Sequence, residues 1–129
     1  MKSTQISIHN KDFEVHYRFY TIEEGGRRQP ACQGYRCDWS YEGDDISKTG
    51  GYMIWPEFQN IDGTPIMEGD PVPTSGIAKM WILSPDFRLK IHQHRLKVGV
   101  RGYFMEGSRK VAEATVSLIL GLHSNCNEV

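Results

Sequence analysis

The stretch FEVHYRFYTI, residues 13–22, decides how this chain folds. Its residues Phe13, Val15, Tyr17 and Phe19 alternate with Glu14, His16 and Arg18. Successive side chains leave a β-strand on opposite faces, so a period of two predicts a strand buried on one side. The run Glu23-Glu24-Gly25-Gly26 then breaks it with turn chemistry. Residues 35–42 repeat the pattern: Tyr35, Cys37, Trp39 and Tyr41 share one face, and Arg36, Asp38, Ser40 and Glu42 the other.

Working outward, residues 50–58 read as a third, aromatic strand, with Pro56 at its end or at an edge position. Residues 60–76 carry Asp62-Gly63, Pro65, Gly69-Asp70-Pro71 and Pro73, the punctuation of a long irregular connection. Residues 77–84 form a strand with Met80, Trp81 and Ile82. Phe87, Leu89 and Ile91 then alternate with Arg88, Lys90 and His92, after which the apolar phase flips to Leu96, Val98 and Val100. A slip of one residue reverses every side chain, so a β-bulge or tight turn is predicted at Gln93-His94-Arg95. Tyr103-Phe104-Met105 leads to the turn Glu106-Gly107-Ser108 and a last strand with Ala112, Ala114, Val116, Leu118 and Leu120 on one face. No stretch has sustained helical periodicity. Six or seven strands with glycine turns predict an all-β barrel or sandwich.

Composition agrees. With 129 residues, 39% hydrophobic and 24% charged, the chain suits one folded domain that needs no disulfide or metal staple. The expected division is an N-terminal extension or extra strand over 1–12, a single barrel over 13–122 and a polar tail over 123–129. The opening MKSTQISIHNKD has no apolar signal core, and the longest apolar stretch, 116–122, is too short to span a bilayer, so a cytoplasmic location without a membrane partner is expected. Cys32, Cys37 and Cys126 are odd in number and make no C-x-x-C pair, which predicts free thiols. Residues 38–70 hold eight acids and one lysine, and residues 79–110 hold eight lysines and arginines against two acids. One region of the surface should therefore be negative and another positive, an arrangement able to steer a charged partner.

Nucleotide-hydrolysing and hydrolase motifs are absent: there is no G-x-x-x-x-G-K-[ST] loop, no G-x-S-x-G elbow and no H-E-x-x-H. No cofactor is expected. His92-Gln93-His94 on a strand would put both imidazoles on one face, but zinc needs further ligands, with His16, Asp86 or Glu106 as the only volunteers, and Arg88, Lys90 and Arg95 repel a divalent ion. Asp44-Asp45 reads as a solvated turn. Trp39, on an alternating apolar face, reads as core. Trp55 and Trp81 stay open between core packing and stacking on bases.

Two stretches resemble the third, C-terminal domain of elongation factor Tu. In FEVHYRFYTIEEGGRRQPACQGYRCDWSY, residues 13–41, the match is Glu24, Gly25, Gly26, Arg27, Pro30, Gly34, Tyr35 and Arg36. In GVRGYFMEGSRKVAEATV, residues 99–116, it is Gly99, Arg101, Glu106, Gly107, Arg109 and Val111. Glu68-Gly69-Asp70 and Ile82-Leu83-Ser84-Pro85 fit between them, with a short insertion over 86–94. The resemblance covers nearly the whole chain and implies a closed six-stranded antiparallel Greek-key barrel without the family's GTPase domain and second barrel. It also implies a surface for aminoacyl-tRNA at Arg27 and Gly107, with Arg28 replacing a usual histidine. Asp38, where glutamine is usual, puts negative charge toward a phosphate backbone and opposes binding, and Ser84 stands where a basic or histidine residue is common. Arg27, Arg36, Arg101 and Arg109 equally suit the bracing of barrel turns.

The expected function is a non-enzymatic binding module, first a protein–protein adaptor or a decoy or immunity-type protein. The alternative is a small tRNA- or RNA-binding module using Arg27, Arg28, Arg36, Arg95, Lys97, Arg101, Gly107 and Arg109. A metal-dependent enzyme built on His92 and His94 is the third reading, and an excised fragment without a role of its own the fourth.

Overall fold

The computed structural model describes residues 11–125. Six strands, β1 (Phe13–Phe19), β2 (Asp38–Tyr41), β3 (Tyr52–Phe58), β4 (Ser75–Ile82), β5 (Arg101–Glu106) and β6 (Arg109–Ile119), close into an antiparallel barrel in the order β1-β4-β3-β2-β5-β6. The consecutive strands β2, β3 and β4 lie side by side, and β1 returns beside β4 by a long connection, which is a Greek key. Pairing of Phe13 with Ile119 shuts the barrel.

The alternating strands do what their pattern requires. Phe13, Val15 and Tyr17 of β1 point inward with Trp39 and Tyr41 of β2, Ile54 and Phe58 of β3, and Ala78, Met80 and Ile82 of β4. Their rings meet edge to face, Phe13 on Trp39 at 5.5 Å and Tyr17 on Phe58 at 5.0 Å, a favoured aromatic arrangement. Gly102 of β5 makes room for the indole: a Cβ there would lie 2.3 Å from Trp39 Cζ2. The long connection between β3 and β4 is held by buried Gln33, whose Nε2 donates to the Phe58 and Ile66 carbonyls at 3.0 and 2.9 Å while its Oε1 accepts from Phe58 N at 2.9 Å.

Two sequence expectations are corrected. Phe87 to His92 are helical rather than extended, and no bulge lies at Gln93 to Arg95: a short α2 (Pro85–Phe87) runs through a π-helical turn (Arg88–His92) into α3 (Gln93–Arg95). Ser84 starts the helix, its hydroxyl accepting from Phe87 N at 3.1 Å, with Pro85 at the first position where its missing N–H costs nothing. The residues that face inward, Arg88, His92 and Leu96, are four apart, but two of the three are polar, so an apolar search cannot see the helical period. A separate short helix, α1 (Ile46–Thr49), is capped by Asp45.

The register slips of the sheet lie elsewhere. One falls between Glu14 and Val15 against β6, where Glu14 pairs with Leu118 but Val15 with Val116. Ser117 is thereby an extra residue, and beyond it Leu118 turns outward while Ile119 packs on the core. The expected inward face of the last strand therefore ends at Val116.

At this end of the barrel sits a buried polar knot. Asp12, fully buried, accepts from Arg88 Nε at 2.8 Å, Asn125 Nδ2 at 2.9 Å and Ile82 N at 2.8 Å. Arg88 also donates to the Ile82 carbonyl at 3.1 Å. The knot ties the start of β1, the helical insertion and the chain after β6. Asn125, expected in a polar tail, is part of it; Cys126 and residues 1–10 lie outside the described residues. Among the described residues no helix is long and apolar enough to cross a membrane.

Candidate functional site

The residues singled out in the sequence fall into three places. At one end of the barrel, the β5–β6 turn presents Glu106, Gly107 and Arg109. Gly107 has φ 62°, in the left-handed region that glycine occupies at no steric cost. Glu106 gathers three donors: the Tyr35 hydroxyl at 2.5 Å, the Arg109 guanidinium at 3.2 Å and the Arg27 guanidinium. Arg27 also lies over the Tyr35 ring at 4.7 Å. Burial alone would raise the Glu106 carboxyl, but the hydrogen bonds from Tyr35, Arg27 and Arg109 outweigh it and hold it below the usual carboxylate range. Arg27 and Arg109 thus share one carboxylate, with Arg27 partly buried and Arg109 exposed. Arg28 is exposed beside them.

A second group lies around a recess after the helical insertion, lined by His94, Arg95, Lys97 and Arg101 together with Tyr41 and Glu42. Arg95 forks onto Asp44 at 2.8 and 3.0 Å and covers the Tyr41 ring at 4.0 Å. Arg101 meets Glu42 at 3.4 Å and Glu113 at 3.9 Å. Lys97 is exposed and makes no ion pair among the described residues. The positive region of the sequence is therefore interleaved with Glu42 and Asp44 of the loop after β2 and Glu113 of β6.

The two histidines do not form a pair. On a helix, neighbours two apart point to nearly opposite sides, and His92 is buried while His94 is exposed. His92 Nδ1 lies 2.6 Å from the Tyr41 hydroxyl, and its ring packs edge-on against Tyr52 at 4.8 Å. Burial, then the nearby Arg95 and Arg88 charges, lowers its pKa from 6.5 to about 4. Among the described residues no group of three or more His, Cys, Asp or Glu side chains is placed to hold a metal. Cys37 is buried, and that burial raises its thiol pKa, away from thiolate chemistry.

The third place is the outward face of β3 and β4, of which the sequence offered Arg36 as a binding residue and left Trp55 and Trp81 open between core and surface. Trp55 and Trp81 are direct partners across the two strands, with ring centroids 6.5 Å apart at 87°. The Arg36 guanidinium stacks on Trp55 at 4.1 Å, and the Lys11 ammonium stands 5.6 Å from the Trp81 ring. Met53, 56% exposed, continues the stripe along β3. Next to it, a cleft of ≈ 230 Å³ runs under the indoles to Pro65 and Glu68. The deciding signal was present in the sequence: Trp55 shares its strand face with Glu57, and Trp81 with Lys79, so both tryptophans point to solvent.

No family model matches this chain, and no curated protein matches it.

Proposed function

We propose that the chain is a non-enzymatic binding module, resembling the elongation factor Tu C-terminal barrel, that engages another protein through the outward face of β3 and β4. The observation that carries this reading is the Trp55–Trp81 pair, an apolar centre on adjacent strands with Met53 beside it and Arg36, Lys11, Glu57 and Lys79 around it. Protein interfaces concentrate Trp, Met and Arg at such centres and keep the remaining charges at the rim. A closed barrel offers no free strand edge for a partner to extend, so recognition falls to side chains. An adaptor and a decoy that mimics an elongation-factor surface both fit this reading.

A second reading, an RNA-binding module, is favoured by the recess holding His94, Arg95, Lys97 and Arg101. It is weakened by the ion pairs that occupy Arg95, Arg101, Arg27 and Arg109. A photo-crosslinking residue placed at Met53, and separately at Lys97, distinguishes the two in native lysate. The adaptor reading expects one protein captured saturably from Met53 and lost in Trp81→Ala. RNA captured from Lys97, falling steeply with salt, would instead support the second reading. No saturable protein from Met53 would end the first.

A further inference from the structure

The cleft beneath Trp55 and Trp81 has a chemistry of its own, and it narrows the partner. This step rests on the reading of the β3–β4 face as a protein-binding surface. Trp55 and Trp81 line one cleft of ≈ 230 Å³ together with Pro65 and the chain at Tyr35. The indoles stand at 87° to each other, a right-angled corner between two flat apolar walls.

Four charged side chains surround this corner. Lys11 and Glu57 meet at 3.7 Å and offset each other. Arg36 and Glu68 make no ion pair among the described residues, and both are exposed. Arg36 is held flat by the Trp55 ring at 4.1 Å, which leaves its N–H groups to donate outward. Glu68 bends back over the chain two residues before Arg36: a Cβ on Gly34 would fall 2.1 Å from Glu68 Oε2. The cleft therefore combines flat aromatic walls, a set of hydrogen-bond donors and one carboxylate awaiting a cation.

The geometry points to a proline-rich segment of a partner protein, in the polyproline II conformation and flanked by a basic residue, as the occupant of this cleft. Such a segment has three residues per turn and no internal hydrogen bonds, so it presents prolyl rings for aromatic corners and bare carbonyls for donors. The rings pack against Trp55 and Trp81, the carbonyls accept from Arg36, and the flanking Arg or Lys meets Glu68. Its stiffness lowers the entropy lost on docking, which suits a shallow site.

The test uses a fluorescein-labelled peptide, Arg-Pro-Leu-Pro-Pro-Leu-Pro, titrated with the full chain by fluorescence polarisation. Two companion peptides replace its arginine by glutamate or its prolines by alanine. Saturable binding of the first peptide is expected, weakened at least about tenfold in Trp81→Ala and by loss of the prolines. In Glu68→Lys the preference between the arginine and glutamate peptides should invert. Circular dichroism checks that both variants keep the barrel, and Glu68→Lys changes only an exposed loop position. No saturable binding up to about 1 mM, or binding indifferent to Trp81→Ala, overturns the proposal. So does a single-stranded RNA decamer that binds this face in a Trp81-dependent way while the peptide does not. If the peptide fails but Met53 still crosslinks a protein, the occupant is wrong and the face stands; if both fail, the face falls too.

Discussion

Replacing Asp12 by alanine should unsettle the barrel more than any other single change of a charged residue. The carboxylate is fully buried and accepts from Arg88 Nε, Asn125 Nδ2 and Ile82 N at 2.8 to 2.9 Å. Its loss deprives a guanidinium only 1% exposed of this countercharge. Removing one member of a buried ion pair costs about 3–5 kcal/mol, because the other charge stays in a low-dielectric interior. The two amide donors add to this less than additively, since all three share one acceptor group. Against a domain stability of about 5–15 kcal/mol, the variant stands near the edge of folding. In urea unfolding, with a slope of about 1–3 kcal/mol per molar, the midpoint should drop by roughly 2 M at unchanged slope. The double variant Asp12→Leu with Arg88→Met should recover most of the loss, because apolar replacement of a buried pair is often neutral or better. A drop below about 1 kcal/mol in Asp12→Ala, in the range of ordinary surface changes, would refute the reasoning. A double variant less stable than Asp12→Ala would do the same.

Three further outcomes are expected. His92 is held neutral by burial, so as pH falls from 6.5 toward about 4 the unfolded chain takes up a proton that the folded ring refuses, and stability declines through that window. The decline is worth roughly 1.4 kcal/mol per unit of pKa depression; urea midpoints measured across the window should flatten in His92→Gln, and an unchanged slope would contradict the assignment. Gly102→Ala drives a methyl into the Trp39 ring, so the melting temperature should fall by an amount equivalent to about 1–3 kcal/mol, with a shifted tryptophan emission; a melting temperature within a degree of the parent would show that the core yields there. Trp81→Ala, at an outward position 39% exposed, should cost less than about 1 kcal/mol in the same assay, so that any binding defect reports on the surface and not on folding.

How far the sequence carried this reading differs from element to element. β1 and β2 were legible because apolar and polar residues alternate along each, and Trp39 could be placed in the core on that pattern alone, although Ser40 on the other face of β2 is buried too. The helical insertion was not legible. Its inward residues are Arg88 and His92, whose burial depends on Asp12 and Tyr41, and both partners are far away in sequence. The slip at Ser117 was hidden for a different reason, since Val116, Leu118 and Leu120 keep the alternation going after the backbone has changed phase. Of the candidate site, Arg27 and Arg109 could be named from the turn motifs, but not that both would share the Glu106 carboxylate. Trp55 and Trp81 could be named, but their facing each other required the register of β3 against β4.

Closure of the barrel also sets how it must be made. The seam between β1 and β6 joins Phe13 to Ile119, the two ends of the described sheet. Contacts that distant in sequence are slow to form, because a large loop must close before any bond rewards it. During synthesis β1 emerges early and its partner last, so a nascent chain lacking β6 exposes two open edges, on β1 and on β5. Folding of this protein is thus governed from its C-terminal side. A truncation or a slow translation step within β6 would leave a five-stranded sheet with both edges open, whereas the same event in the loop between β3 and β4 would interrupt a chain in which β1 still lacks both of its partners.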